Sequence, residues 1–253
     1  MSGARLAHIV RHPVKSAGYQ TLERAALTEG RPMPFDRLWA ITTAGAKFHG
    51  APQGWAAKMN FVRGAAEGSL QAIRADFDEA RGHLRLSHPA LPPFSGSLPA
   101  DGAALIDWLR PLWPASRPAP VALVARQDGG ALSDVPEPWL ALLNLSSLRA
   151  LGQRMGRELS IHRFRGNLWL DGLAPWEEFD LIGRELTLGT ARLRIEEPIT
   201  RCVATTFDPE TGLAAGDTLA ALETGWGHRD FGVYARVIAS GTVALGDALE
   251  LHP

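Results

Sequence analysis

A single cysteine, Cys202, is the residue of this sequence with the most distinctive chemistry. One cysteine excludes a disulfide framework and any metal site that needs two or four thiolates from one chain. Its thiolate is still a soft ligand for a metal that other groups already hold. The alternative is a small buried side chain that only packs. Residue chemistry alone favours the packing role, so the surrounding sequence has to decide.

Other titratable residues stand close together without forming a recognisable site. His8 and His12 are four residues apart, but in a strand this spacing separates them by about 13 Å, too far to share one zinc ion. The neighbouring glutamates at 177–178 and 196–197 have side chains that diverge, so we expect solvated carboxylates. The motifs GxxxxGK[ST], GxGxxG, GxSxG and HExxH do not occur, so the common nucleotide, serine-hydrolase and zinc-peptidase sites are not predicted.

The elements that must position these residues are mostly short runs punctuated by Gly and Pro, which favours a barrel or sandwich over alternating strands and helices. Strands are predicted over residues 5–11, 22–28, 37–43 and 121–126, with an antiparallel pair at 70–76 and 83–87. In the second half, strands are predicted over 167–172, 185–195, 201–208 and 231–251, the last with a hairpin turn at Gly241.

Helical spacing of apolar residues occurs in two places. Residues 101–113 follow Asp101, a good N-cap, and Ser146 and Ser147 are expected to cap a second helix. Residues 114–138 are rich in Pro and Gly and are the best candidate connector. The sequence therefore predicts a mainly β (α+β) protein with a few helices, divided into two unequal parts.

Composition and charge exclude several classes of protein and of binding partner. Of the 253 residues, 45% are hydrophobic and 21% are charged, which is ordinary for a globular protein. The net charge of −1 provides no overall basic field, so neither nucleic acid nor an anionic membrane is expected as a partner. The N-terminus has no apolar secretory segment, and the longest uncharged stretch, 86–100, is shorter than the ~20 residues of a membrane helix. We expect a cytoplasmic protein.

Four segments in order along the chain resemble one family. They are HPVKSAGY (12–19) with FDRLWAI (35–41), FRGNLWLDGLAPWEEFDLIG (164–183), ITRCVATTFDPETG (199–212) and FGVYARVIASGTVALGD (231–247). Together they resemble the MOSC family, named for the C-terminal domain of molybdenum cofactor sulfurase. The resemblance is strongest to the branch that includes the mitochondrial amidoxime-reducing component and its bacterial relatives. It implies a MOSC-type β-barrel over residues 121–253 and a smaller N-terminal β-barrel part over residues 1–113.

The resemblance also implies a cofactor, the molybdenum–pyranopterin group known as molybdopterin, with molybdenum ligated by Cys202 of the Arg201-Cys202 pair. One protein thiolate suffices beside the two dithiolene sulfurs of such a cofactor, so the match reverses the packing interpretation. Lys15 and Ser16 match family positions at the phosphate end, where a lysine acts as a point charge. Arg37 matches another cofactor contact, and its guanidinium suits an oxyanion.

Further matches complete the implied cofactor-binding set. Ser146 and Ser147 match a serine-bearing helix start that lines the family's site, where free N–H groups favour an anion. Arg163, Arg165 and Asn167 alternate in HRFRGN, so in a strand they share one face. The family usually has Pro where Gly166 stands, which leaves the geometry of this loop open.

The implied activity is a molybdenum-dependent oxidoreductase that reduces N-hydroxylated, amidoxime-like or hydroxylamine-like small molecules by oxygen-atom transfer. Electrons are expected from a separate ferredoxin-like or cytochrome b5-like protein, because a ferredoxin cluster needs four cysteines that this sequence does not supply. Two alternatives stay open: a cofactor or sulfur carrier that uses Cys202 as a persulfide or transient ligand, and a barrel that binds no cofactor. The intact Lys15, Arg37, Arg201 and Cys202 count against the last.

Overall fold

The computed structural model describes residues 3–252 and is dominated by strands. In this range the strands are β1 (Arg5–Arg11), β2 (Gln20–Leu22), β3 (Arg24–Leu27), β4 (Trp39–Thr43), β5 (Arg74–Asp78), β6 (His83–His88), β7 (Leu91–Ser97), β8 (Pro120–Ala125), β9 (Leu140–Asn144), β10 (Leu168–Asp171), β11 (Glu185–Leu188), β12 (Ala191–Thr200), β13 (Asp230–Ala239), β14 (Gly241–Ala244) and β15 (Leu249–Leu251). The α-helices are α1 (Gly102–Leu109), α2 (Leu145–Arg154) and α3 (Thr218–Trp226). The predicted mainly β fold class with a few helices is confirmed.

One large sheet organises the molecule. Its eight strands follow the order β15-β11-β12-β13-β9-β10-β1-β2, and β9 and β10 are its parallel pair. The sheet curls until its ends meet, since the Leu6 N–H donates to the Asp247 carbonyl at 2.9 Å and the Leu249 N–H donates to the Ala4 carbonyl at 2.8 Å. These bonds give the sheet the barrel form that the sequence predicts.

The interior of the large sheet follows from alternation along its strands. Residues of β12 alternate between buried and exposed from Ala191 to Ile195, because successive side chains point to opposite faces. Leu, Ile and Val supply the inward positions of this core, among them Leu6, Leu142, Leu170, Leu186, Leu193 and Val237. Burying this apolar face is what holds the curled sheet together.

The N-terminal part packs a second core between a pair of strands, β4–β8, a three-stranded sheet, β5-β6-β7, and helix α1. The predicted antiparallel pairing of the segments now seen as β5 and β6 is confirmed. Strands β1 and β2 belong to the large sheet, and β3 pairs with β14, so pairing crosses the expected division between residues 1–113 and 121–253. That division stays a prediction.

Three predicted elements are wrong. The segment after Gly241 forms no hairpin with β13, since β14 pairs with β3. Residues 203–206 form a 3-10 helix rather than a strand, because both the N–H and the hydroxyl of Thr205 bond to the Cys202 carbonyl at 3.1 Å. Residues 161–164 are also a 3-10 helix, so the HRFRGN segment is no strand.

The capping predictions need correction as well. Asn144, not Ser146 or Ser147, caps helix α2, and its side chain accepts a hydrogen bond from the Ser146 N–H at 2.9 Å. Asp101 does precede α1, but its carboxylate accepts from the Ser97 N–H at 2.7 Å instead of capping the helix. Among the described residues, no helix has the length and apolar character needed to cross a membrane.

Candidate active site

One cavity of about 370 Å³ gathers most of the sequence-predicted site residues. Its walls come from the turn after β1, the connector before β9, the loop before β10 and the segment that follows β12. These are segments from both halves of the chain. The predicted residues that line it are Lys15, Ser16, Arg37, Arg163, Arg165, Asn167, Arg201 and Cys202.

Cys202 lies two residues beyond the end of β12, and its side chain is exposed. The bond from Thr205 to the Cys202 carbonyl fixes the backbone of the turn, while the thiol itself stays accessible in the cavity. The alternative of a buried packing cysteine is therefore wrong. An accessible thiol beside cationic side chains is the setting in which a thiolate acts as a ligand or carries sulfur.

The cavity concentrates positive charge in a protein whose net charge is −1. Two carboxylates also reach its lining, those of Asp134 and Glu197. The cationic side chains that line it are Lys15, Arg37, Lys58, Arg63, Arg163, Arg165 and Arg201. This local excess makes the cavity attractive to an anionic ligand although the whole molecule is nearly neutral.

Backbone conformations of rare type cluster at the same place. Among the described residues, five other than glycine have positive φ, and three of these line the cavity: Ser16 (63°), Arg37 (50°) and Arg165 (48°). Side chains disfavour this left-handed region, so such residues persist only where the surrounding structure holds them. Strain of this kind concentrates at binding sites, which supports this cavity as the functional one.

Lys15 is buried at the floor of the cavity. Its Nζ donates to the Leu132 carbonyl at 2.8 Å and to Asp134 Oδ1 at 2.5 Å. Burial lowers the pKa of Lys15, and Asp134 opposes that shift. The Asp134 carboxylate thus occupies one of the donor positions of the ammonium group in the cavity.

Arg37 is held by a buried neighbour. Its Nη1 is ion-paired with Asp36, whose carboxylate also accepts from the His12 N–H at 2.7 Å. Burial alone would raise the pKa of Asp36, but Arg37 and His12 together hold it well below its ordinary value. The Arg37 Nη2 donates to the Arg165 carbonyl at 3.0 Å, which ties the two arginines together.

Arg165 has the most unused donor capacity of the predicted residues. Among the described residues, only its Nη2 finds an acceptor, the Gly18 carbonyl at 3.3 Å. Burial and the neighbouring Arg37 lower the pKa of Arg165 to about 9, so it remains protonated at neutral pH. Its remaining N–H groups are free for an oxyanion in the cavity.

The side chains of Arg163, Asn167 and Arg201 form hydrogen bonds within the protein. Arg163 Nη1 donates to the Thr205 carbonyl at 3.2 Å, and Arg201 Nη1 donates to the Phe164 carbonyl at 2.8 Å. Asn167 accepts from the Ala141 N–H at 2.9 Å and donates to the Val10 carbonyl at 3.1 Å. These three residues build the walls of the cavity and hold the cysteine segment in place.

Ser146 and Ser147 lie outside the cavity lining. Ser147 is fully buried, and its hydroxyl donates to Glu178 Oε2 at 2.7 Å. Glu178 is fully buried too, so the expectation of solvated carboxylates at 177–178 is wrong for this residue. Burial raises the pKa of Glu178. The Ser147 hydroxyl thus ties the start of helix α2 to Glu178.

Sequence reasoning missed several residues of the lining. Asp134 and Trp139 lie in or just beyond the predicted connector, while Lys58 and Arg63 come from a turn-rich segment. Lys58 carried a signal, since it is one of three lysines in the chain. Tyr234 lies in a predicted strand, but only pairing with β9 and β12 brings it to the cavity.

Part of this chain is similar to known proteins. Residues 132–250 match the family model of the MOSC domain. The molybdenum cofactor sulfurase of Anopheles gambiae is 31% identical over 121 residues, which are 43% of this chain and 16% of that protein. Mitochondrial amidoxime-reducing component 1 of Mus musculus is 30% identical over 144 residues, 51% of this chain and 41% of that protein. The chain thus spans less than half the length of either relative.

Solved structures give more distant likenesses. YiiM from Geobacillus stearothermophilus is 24% identical with a TM-score of 0.36 and covers 45% of this chain and 54% of its own. The YUAD protein from Bacillus subtilis is 12% identical with a TM-score of 0.46 and covers 100% of this chain and 98% of its own. The predicted resemblance to the MOSC family is confirmed, since residues 132–250 of this chain match the model of the MOSC domain.

Proposed function

We propose that this protein is a molybdenum cofactor-dependent oxidoreductase that reduces N-hydroxylated small molecules, with Cys202 as the molybdenum ligand. The observation that carries the proposal is the exposed Cys202 thiol in a cavity that is lined by cations. The similarity to an amidoxime-reducing component supports the reaction class, and the similarity to molybdenum cofactor sulfurases supports the cofactor.

The residues present fit such a group. A cavity of about 370 Å³ lies within the range of small-molecule sites. Arg165 offers unpaired N–H donors, and Lys15 offers a buried ammonium whose carboxylate partner is half exposed. A single soft thiolate suits a metal that already carries sulfur ligands. Cys202 would hold the metal, while Lys15, Arg37 and Arg165 would hold the anionic part of the cofactor.

The protein's own contribution is binding and orientation. The chemistry that the cofactor supplies when bound is oxygen-atom transfer, in which the N–O bond breaks and two electrons and two protons turn the oxygen into water. Arg163 fixes the segment after Cys202, and Arg201 fixes the loop before β10, so the thiol and the cationic side chains keep their relative positions. Such fixed positions are what makes a site effective.

The same proposal includes a separate electron-donor protein, ferredoxin-like or cytochrome b5-like, and a cytoplasmic location. Both were expected from the sequence. The donor would have to deliver two electrons for each N–O bond that is reduced.

A carrier of the cofactor or of sulfur is the second candidate function. The exposed thiol favours it, because a persulfide needs access to its donor and acceptor. The similarity to several molybdenum cofactor sulfurases points in the same direction. In this case Cys202 would carry sulfur or hold the metal only transiently.

One experiment separates the two. The protein is expressed in a host that makes the cofactor, its molybdenum is measured by elemental analysis, and benzamidoxime reduction is assayed with an artificial reductant. We expect near-stoichiometric molybdenum and turnover in the wild type. Molybdenum without turnover would favour the cofactor carrier, and absence of molybdenum would refute the reductase.

Cys202→Ser tests the ligand directly. The side chain is exposed, so the variant should unfold at the wild-type temperature while it loses turnover. Val203→Ala, at the neighbouring exposed position, serves as the control and should keep turnover. Wild-type activity in Cys202→Ser would contradict the assignment.

A further inference from the structure

The segment between β4 and β5 brings side chains of the N-terminal part into the cavity. The segment is anchored beside β4, where the buried Val62 donates its N–H to the Ile41 carbonyl at 2.8 Å. Arg63, Gly64 and Gln71 follow this anchor and line the cavity. We call Arg63 and Gln71 the N-terminal wall.

Arg63 has a guanidinium group without a partner. Within residues 3–252 its half-buried side chain forms no hydrogen bond and no ion pair. The next acidic residue along the chain, Glu67, uses its carboxylate to cap the 3-10 helix Gly68–Ala72 by accepting from the Ser69 N–H at 2.9 Å. All five N–H donors of Arg63 are therefore available to a ligand in the cavity.

Gln71 adds a buried amide whose hydrogen bonds are also unused. The residue is 2% exposed, and its Nε2 has no hydrogen-bond partner in the part of the chain that the structure describes. A buried polar group without a partner is costly, and such groups are rare unless water or a ligand satisfies them. Gly64 makes room for this amide beside Arg63, because a Cβ at position 64 would lie 2.5 Å from Gln71 Nε2.

The N-terminal wall is distinct from the group formed by Lys15, Arg37 and Arg165. Arg37 and Arg165 both lower the pKa of Lys15, and Arg37 lowers the pKa of Arg165, so these three cations lie within electrostatic reach of one another. Arg63 is not among the main groups that shift the pKa of any of them. The wall is therefore an additional binding region of the cavity.

We propose that the N-terminal wall binds an oxyanion substituent, such as a carboxylate, of a small molecule in the cavity. The guanidinium of Arg63 matches both oxygens of a carboxylate, and the Gln71 amide adds a neutral donor. With the proposed function, on which this step rests, the preferred substrates carry an acidic group besides the N–O bond. Lys15, Arg37 and Arg165 keep the direct contacts with the cofactor.

Benzoate and its neutral counterpart benzamide test the wall. Protein from a cofactor-producing host is titrated with each compound at low salt, and binding is followed by ligand-observed NMR. We expect the wild type to bind benzoate about fivefold more tightly than benzamide, as for one charge-assisted hydrogen bond that is partly screened. Arg63→Gln should remove this preference. Arg117→Gln is the matched control and should keep it, because Arg117 is exposed and lies outside the lining.

Gln71→Leu tests the amide separately. It should weaken benzoate binding about threefold and raise the melting temperature without benzoate by about 3 °C, because an apolar side chain of similar size replaces an amide that lacks partners. Asn60→Leu is the matched control, since the buried Asn60 amide accepts from the Lys47 N–H and donates to the Ala57 carbonyl, both at 2.8 Å. It should lower the melting temperature and keep the benzoate preference. A lower melting temperature with unchanged benzoate binding in Gln71→Leu would overturn the role of Gln71.

Retention of molybdenum distinguishes the two sources of an oxyanion, the substrate and the cofactor. After dialysis, Arg63→Gln should retain as much molybdenum as the wild type and Arg117→Gln. A loss confined to Arg63→Gln would assign the wall to the cofactor and overturn the proposal. Equal binding of benzoate and benzamide by the wild type, no binding of either, or loss of the preference in Arg117→Gln would overturn it as well.

Turnover links the wall to the substrate. For the loaded enzyme, a carboxylate-bearing benzamidoxime should have a KM about fivefold lower than that of benzamidoxime at similar kcat, and Arg63→Gln should remove the difference. Equal KM values in the wild type would overturn the preference for acidic substrates.

The NMR titration requires neither metal nor turnover, so the two proposals can fail separately. A preference for benzoate that depends on Arg63 in protein without molybdenum would refute only the reductase. Reduction of benzamidoxime by a protein that does not prefer benzoate would refute only the N-terminal wall.

Discussion

Asp134 competes with any anion that approaches Lys15, and removing its charge should strengthen anion binding. Its Oδ1 accepts from Lys15 Nζ at 2.5 Å, and its Oδ2 lies 4.0 Å from Lys58 Nζ. An incoming phosphate competes with this carboxylate for the positive charge of the lysine. In Asp134→Asn the competing negative charge is gone, while an amide oxygen of similar size remains.

The magnitude follows from the exposure of the pair. A hydrogen bond to a charged group contributes about 1.5–3 kcal/mol. The Asp134 side chain is 49% exposed, so solvent screening reduces the gain to about 1 kcal/mol. That corresponds to about fivefold in Kd. Inorganic pyrophosphate, titrated calorimetrically into both proteins at low salt, gives the comparison.

Asp128→Asn is the control for this measurement. Asp128 lies in the same connector and pairs with Arg126 at 2.5 Å, outside the cavity lining. Its replacement should leave pyrophosphate affinity unchanged. Unchanged or weaker pyrophosphate binding in Asp134→Asn would refute the idea that Asp134 competes with the anion for Lys15. An equal gain in affinity in both variants would show that only the net charge of the protein matters.

Two further predictions distinguish residues that bind the anion from residues that stabilise the fold. Arg165→Ala should weaken pyrophosphate binding about tenfold, because its free donors are lost. Arg163→Ala should lower the free energy of unfolding by about 3 kcal/mol in urea denaturation, because buried carbonyls lose their donor. A larger loss of stability in Arg165→Ala, or a larger loss of pyrophosphate affinity in Arg163→Ala, would contradict these roles. Burial raises the pKa of Glu178 above the 4.5 of an unperturbed glutamate, so its contribution to stability declines as pH rises from about 4.5 through the folded pKa. Glu178→Gln should therefore gain melting temperature relative to the wild type between pH 4 and pH 8, and a constant difference would contradict this.

The sequence predicts which residues line the cavity better than it predicts how they are arranged. The resemblance selects Lys15, Arg37, Arg165 and Cys202, and all four line one cavity. Composition alone does not reveal this concentration of charge, because the acidic residues elsewhere in the chain cancel it in the net charge.

One failure has a local cause, and the others arise from contacts between residues far apart in the sequence. The run of β-branched residues after Cys202 reads as a strand, yet a threonine hydroxyl bonds backward and closes a turn. The role of Ser147 depends on Glu178, which follows it by 31 residues, and no local pattern encodes that contact. The same holds for Glu197, whose direction depends on the register between β12 and β13.

The arginines of the cavity differ in their hydrogen-bond partners, which explains how the cavity can be both rigid and attractive to anions. Arg201 donates to the neutral backbone carbonyls of Phe164 and Phe231, so its hydrogen-bonding capacity is used while its positive charge remains. Arg163 donates to the Thr205 carbonyl and also pairs with Asp208 at 3.4 Å, which offsets part of its charge. The electrostatic field of the cavity therefore comes from all its cations, but direct contacts are left to Lys15, Arg37 and Arg165. A field that is produced by wall residues exists before any ligand arrives, and it costs no rearrangement when an anion binds. Such a field acts over several ångströms and is screened by salt, and partly buried direct contacts are screened much less. The affinity that remains at high ionic strength would therefore report mainly on the direct contacts, which a mutation at Arg165 tests separately.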